Sequence, residues 1–284
     1  MLAGGRSSRM GTPKAALEWH GSTLLRRTVG IVARATGGPV VVVRAAGQDL
    51  PALPGPVTVV DDPREGRGPV QGIAAGLAAL AGQAEAAFVT STDLPFLHPV
   101  FIRRVLRALG SQDGDHPGGP DVALPVARGY PQPLAAAYRT GLAVLAERLV
   151  KEDRLRPAFL FAECAVTRLD DAQLLTDPVL AALDPDLDSV LNVNTPDDYA
   201  DARRRPAPEV TVQLFGALVK AGRPGGPRPV LAATVQAAAD AVGLPFDRHV
   251  TAALNGDQIT RDREAPLAQG DTVFFMSADA GGNT

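Results

Sequence analysis

The stretch LAGGRSSRMGTPKAAL, Leu2 to Leu17, stands at the head of the chain, and its reading decides what the rest is taken to be. Gly4, Gly5 and Gly11 allow backbone N–H groups to turn inward around phosphate oxygens. Arg6, Arg9 and Lys14 add charge-assisted donors of the kind a triphosphate needs. This makes the stretch a candidate nucleotide cradle, with a solvated glycine-rich terminus as the competing reading. It is not a Walker A loop, because Thr12 and Pro13 separate Gly11 from Lys14, and it is not a G-x-G-x-x-G turn. A cradle of this kind normally follows a buried strand, yet only Met1 and Leu2 precede it. Without that strand the loop would lose its anchor, so the expectation is that the assigned start lies too late.

Outward from the cradle, short apolar runs alternate with segments of helical period. Val40–Val43, Val57–Val60, Ala87–Thr90 and Val122–Pro125 are strand candidates, and Leu24–Ala35, Val70–Leu80, Val100–Leu109 and Gly141–Leu149 are helix candidates. The alternation predicts an α/β domain with a parallel sheet and crossover helices over residues 1–203. The stretch ADARRRPAPE, Ala200 to Glu209, has no hydrophobic period and supplies a linker at 204–208. Residues 209–284 then read as strand (EVTVQLFGAL), helix (TVQAAADAVGL) and further strands (VTAALNGDQI, DTVFFMSA). That order predicts a small α+β domain of β-grasp, ubiquitin-like type.

A chain of 284 residues, 45% hydrophobic and 21% charged, is long enough for two cores, and its formal net charge of −3 gives no reason to expect nucleic acid or a membrane as partner. Cys164 is the sole cysteine, which rules out an internal disulfide and a multi-thiolate zinc site. No leader-like segment or bilayer-length apolar run is present, so the expected location is cytoplasmic.

Together with the opening stretch, GPVQGIAAGL (Gly68 to Leu77), STDLPFL (Ser91 to Leu97), YPQPLAAAYRT (Tyr130 to Thr140) and LNVNTPDDYA (Leu191 to Ala200) follow one another in a fixed order. In this the chain resembles the molybdenum cofactor guanylyltransferases, the MobA family of nucleotidyltransferases. The resemblance covers residues 1–203 and implies a Rossmann-like, GT-A-type three-layer domain, with GTP and the molybdopterin cofactor as substrates. It implies nucleotide binding by Leu2, Ala3, Gly4, Gly5, Lys14, Asp62, Gly68, Pro69 and Asp93. It further implies Mg²⁺ on Asp93, catalytic roles for Arg9 and Lys14, and a second-substrate region at Gln132, Arg139, Asn192 and Asn194. One departure is Pro13 before Lys14, where guanylyltransferases usually carry Asp and the related cytidylyltransferases carry Pro.

The residues also have readings of their own. Asp93 follows an apolar run, so its carboxylate falls at the C-terminal end of a strand, where it can hold Mg²⁺ with substrate phosphates or cap a helix before Pro95. Asp62 ends VTVVDD and is either a turn former or an acceptor for the N1–H and N2–H₂ edge of guanine. The stretch QPLAAAYRT reads as an edge strand blunted by Pro131 and Pro133. Asn192 and Asn194 alternate out of a strand before Thr195 caps a helix starting at Pro196. The four histidines have no ligand-like spacing.

AALNGDQITRDREAPLAQGDTVFFMSADAGG in the C-terminal part resembles the sulfur-carrier subunit of molybdopterin synthase, the MoaD/ThiS family. The resemblance implies a Gly281–Gly282 tail that is adenylated by a MoeB-like partner and serves the synthase's large subunit. Asn283 and Thr284 follow those glycines, so the domain is expected to be either trimmed or not a carrier.

Overall fold

The computed structural model describes residues 1–4, 13–62, 66–110, 119–220 and 223–278. The chain forms two compact units: Met1–Leu17 with Leu24–Tyr199, and Glu18–Thr23 with the described residues from Ala200 on. The division is therefore not a single cut, because a hairpin pairing Glu18–Trp19 with Ser22–Thr23 belongs to the second unit.

In the first unit, β1 (Val40–Ala45) and β2 (Val57–Asp62) pair in parallel, Val40 opposite Val57 through to Ala45 opposite Asp62. β3 (Ala86–Thr90), β4 (Val122–Ala127), β5 (Ala135–Arg139) and β6 (Val166–Asp170) make a second group in the order β3-β5-β4-β6. Leu2 joins the two groups through parallel bridges to Val43 of β1 and to Ser91 just beyond β3. The N–H of Leu2 donates to the Thr90 carbonyl, and that of Val43 donates to the Met1 carbonyl. Leu2 thus lies at the position where the sequence called for a strand. The Met1 α-amino group is buried and donates to the Val41 carbonyl at 2.7 Å, and burial pushes its pKa down to about 5. Beside it lies a cavity of about 200 Å³ lined by Val40, Val41, Ala86 and Val89 among others.

The sheet is mixed, not parallel throughout. β5 runs antiparallel to both β3 and β4. The AAAYR segment is also central where its prolines suggested an edge. Ala135, Ala136, Ala137 and Tyr138 are all buried, because Pro131 and Pro133 fall in the short hairpin and turn before the strand and do not interrupt its ladder. Helices α1 (Leu24–Thr36), α2 (Pro69–Leu80), α3 (Pro99–Arg107) and α4 (Ala143–Lys151) accompany these strands. Val41, Val43, Ile73, Leu77, Val122, Tyr138 and Leu149 share one core cluster. A further helix, α5 (Pro196–Arg204), spans the division between the units.

The second unit carries β7 (Glu209–Leu214), β8 (Arg228–Leu231), α6 (Val235–Ala241), β9 (Val250–Leu254), β10 (Gln258–Thr260) and β11 (Thr272–Ser277). Their order in the sheet is β8-β7-β11-β9-β10. The first and last strands, β7 and β11, are parallel neighbours at its centre, and the other pairings are antiparallel. Alternation along β7 buries Val210, Val212 and Leu214, which pack with Val235, Ala238, Leu267 and Phe275.

Candidate active site

The first strands of the sheet end at a cavity of about 460 Å³, the position where α/β proteins hold ligands. Leu2, Ala3, Gly4, Lys14, Asp62, Gly68, Pro69 and Asp93 all line it. Eight residues singled out as nucleotide ligands are thus neighbours in space. Gly5 and Arg9, and the tail Gly281 and Gly282, lie outside the described residues.

Each element sets its residue by a local device. Gly4 lies against β1 so closely that a Cβ would stand 2.9 Å from the Ala45 nitrogen, which leaves room for no side chain. Its neighbour Ala3 is held by the Gln48 amide, which donates to the Ala3 carbonyl at 3.2 Å while accepting from the Ala45 N–H. Gly68 has φ of 106°, a left-handed value that glycine alone adopts freely, and it turns the chain into Pro69 at the first position of α2. From the first turn of that helix, the buried Gln71 donates its side-chain N–H to Asp62 Oδ1. The carboxylate that ends β2 is thereby held at the cavity wall.

Asp93 does not cap a helix. The next helix, α3, begins at Pro99 and is capped by His98, whose Nδ1 accepts the Val100 N–H at 3.2 Å. The Asp93 segment is instead fixed from three sides. Arg27 of α1, itself buried, donates to the Pro95 carbonyl at 2.8 Å. Val193 donates its N–H to the Asp93 carbonyl at 2.9 Å, and Ser91 Oγ donates to Asp93 Oδ1. Lys14 Nζ approaches Asp93 Oδ2 at 3.4 Å and donates to Asn194 Oδ1 at 3.0 Å; the Lys14 and Asp93 side chains are each 19% exposed.

The second-substrate residues separate. Asn194 reaches Lys14, but Asn192 turns back to donate to the Val190 carbonyl at 3.2 Å, and residues 191–194 form no strand. Thr195 does cap α5, accepting the Asp198 N–H at 3.1 Å. Gln132 donates to the Ala127 carbonyl at 3.3 Å, and Arg139 donates to the carbonyls of Pro120 and Leu109. Neither Gln132 nor Arg139 lines the cavity; the residue of that motif which does is Leu134.

Residues 1–166 match the MobA-like NTP transferase domain. The chain belongs to this family. It is 39% identical over 153 residues to the probable molybdenum cofactor guanylyltransferase of Mycobacterium tuberculosis (strain ATCC 25618 / H37Rv), covering 53% of this chain and 71% of that protein. It is 30% identical over 212 residues to a protein of the same description from Methanosarcina acetivorans, covering 70% of this chain and 86% of the other. In fold it is similar to the crystal structure of molybdopterin-guanine dinucleotide biosynthesis protein A from Archaeoglobus fulgidus. That likeness has a TM-score of 0.53 at 22% identity and spans 71% of this chain and 94% of the other.

Membership of the MobA-like NTP transferases makes this chain a nucleotidyltransferase, and its donor set fits a hard divalent cation such as Mg²⁺. One carboxylate and one amide oxygen converge on a single ammonium, and Mg²⁺ commonly takes one or two protein oxygens and completes its shell with phosphate and water. Among the described residues no group of three or more His, Cys, Asp or Glu side chains could enclose a metal without a substrate. Burial and then the Asp121 charge push the Cys164 thiol up to about 11. Among the described residues no helix is long and apolar enough to cross a membrane.

Sequence reasoning missed Gln71, Gln48, Ser91 and Leu134. Gln71 and Ser91 lie inside motifs that were read for their glycines and for Asp93, and their proximity to a key carboxylate was the available signal. Gln48 carries none, since its bond to Ala3 exists only once β1 lies beside the opening segment.

Proposed function

We propose that the first unit joins GMP from GTP to the terminal phosphate of the molybdopterin cofactor and releases pyrophosphate. The observation that carries this reading is the single cavity gathering Lys14, Asp62 and Asp93 around the Gly4 and Gly68 backbone. The described guanylyltransferase relatives support the choice of base and acceptor. So does Asp62, an acceptor-only group held by Gln71, which suits the two donors on the guanine edge and repels the N3 acceptor of cytosine. A phosphate monoester is already ionised near neutral pH, so the attacking oxygen needs no general base. Lys14 neutralises charge on the leaving pyrophosphate, a task the family resemblance extends to Arg9. Mg²⁺, held by Asp93, supplies charge compensation to the phosphate oxygens when bound.

Pyrophosphate release by the purified chain with molybdopterin and each of the four nucleotides tests the reading. Release with GTP is expected. Release with CTP alone would replace it with cytidylyl transfer, the reading Pro13 favours, and release with none would leave a binding module. For the second unit we infer a β-grasp domain of sulfur-carrier type, supported by its parallel central β7 and β11. An adenylating enzyme and the large subunit of molybdopterin synthase are its proposed partners. Thiocarboxylation of a form ending at Gly282 by such an adenylating enzyme is the expected result, and a form that ends there without reacting would leave the unit a docking module.

A further inference from the structure

Lys14, Asp93 and Asn194 come from three distant parts of the sequence, and the side-chain ammonium of the first is shared between oxygens of the other two. The oxygens are held in advance. Asn194 sits in a turn that α5 locks, with Asp198 Oδ2 accepting the N–H groups of Asn194 and Thr195 at 2.9 Å each and Thr195 Oγ1 accepting the Asp198 N–H in return. Those backbone donors hold the Asp198 carboxyl below its ordinary pKa. The Val193 N–H bond to the Asp93 carbonyl, at 2.9 Å, then fixes this turn to the Asp93 segment. One anionic and one neutral oxygen, preset on rigid backbone around a shared cation, form a donor pair for a hard metal ion.

We propose that Asp93 and Asn194 together form the divalent-cation site, that the Lys14 ammonium fills it in the nucleotide-free protein, and that a bound triphosphate draws the ammonium away as the metal enters. The proposal rests on the reading that the cavity takes a nucleotide. Lysine suits the part because its ammonium is a point charge on a flexible four-carbon stem, able to trade one set of oxygens for another. While it remains, a metal ion must displace a like charge to bind. Once phosphate oxygens offer the ammonium another partner, that cost falls. Metal and nucleotide therefore bind with positive coupling, each raising the affinity for the other by the same factor. Asn194 accordingly acts on the metal, not on the second substrate.

The test uses Mn²⁺ alone, followed by electron paramagnetic resonance on the full-length chain without nucleotide. Lys14→Met, which removes the charge and keeps most of the stem, should tighten Mn²⁺ binding at least about tenfold. Adding Asn194→Ala in that background should cancel most of the gain, and Asn194→Asp should increase it. Thermal melts establish that each variant is folded, and Lys14→Gln carries the same comparison should the methionine variant not fold. An unchanged Mn²⁺ affinity on loss of the Lys14 charge overturns the proposal, as does an Asn194→Ala variant that binds as tightly as its parent. No nucleotide or acceptor enters the assay, so an error in the assigned base or acceptor would leave this result standing.

Discussion

Asp93 in the first unit, just beyond β3, and Asp271 in the second, just before β11, are both aspartates flanking a strand, yet their surroundings give them different work. Asp271 is 6% exposed and its oxygens are committed: Oδ2 accepts the Ala268 N–H at 2.7 Å, and Oδ1 accepts from Asn255 Nδ2 at 3.0 Å. Asn255 in turn accepts the Thr272 N–H, so the pair pins a turn to the start of β11. Asp93 also has partners, but they are a hydroxyl and an ammonium, and the carboxylate stands at a cavity of about 460 Å³. Backbone donors cannot leave without unfolding a turn, whereas a lysine can be exchanged for another cation. The comparison separates a carboxylate that holds a fold from one that is available to a ligand.

The sharpest way to break this comparison is a pair of substitutions. Asp93→Asn keeps the size of the side chain and removes its charge; turnover should fall by at least about 100-fold, while the melting temperature stays near that of the parent. Steady-state pyrophosphate release and a thermal melt on the same sample check it, and unchanged turnover at saturating Mg²⁺ would make Asp93 a structural residue like Asp271. The reciprocal change, Asp271→Ala, strands the buried Ala268 N–H and should cost about 1 to 3 kcal/mol in denaturant unfolding, with turnover retained.

The smallest expected effect is at Asp62: if its carboxylate reads the guanine edge as proposed, its change to Ala should reduce a preference for GTP over CTP by about tenfold or less, measured by nucleotide titration, because one base contact is lost while phosphate contacts remain.

Much of this was legible before the fold. Apolar runs located β1 to β4 to within two residues at either end, because a buried strand needs uninterrupted hydrophobicity whatever its neighbours are. Leu2 to Gly4, Lys14, Asp62, the Gly68–Pro69 turn and Asp93 were grouped by the family resemblance, and these residues line one cavity. Arg139 shows where such reading ends: its guanidinium donates to the carbonyls of Pro120 and Leu109, contacts that its place in the sequence does not announce. The direction and central place of β5 were equally hidden, since an alanine-rich strand looks the same at an edge or in the middle.

By itself, then, the sequence determined which segments must be buried and which side chains could bind phosphate, base or metal, since hydrophobic run length and functional-group chemistry are local properties. Only the tertiary structure decided that Leu2 would bridge two groups of strands, that Gln71 would hold Asp62, and that Asn194 would meet Asp93 across one ammonium. Those are distances between parts of the chain far apart in order, and no residue carries the distance to its partner until packing sets it.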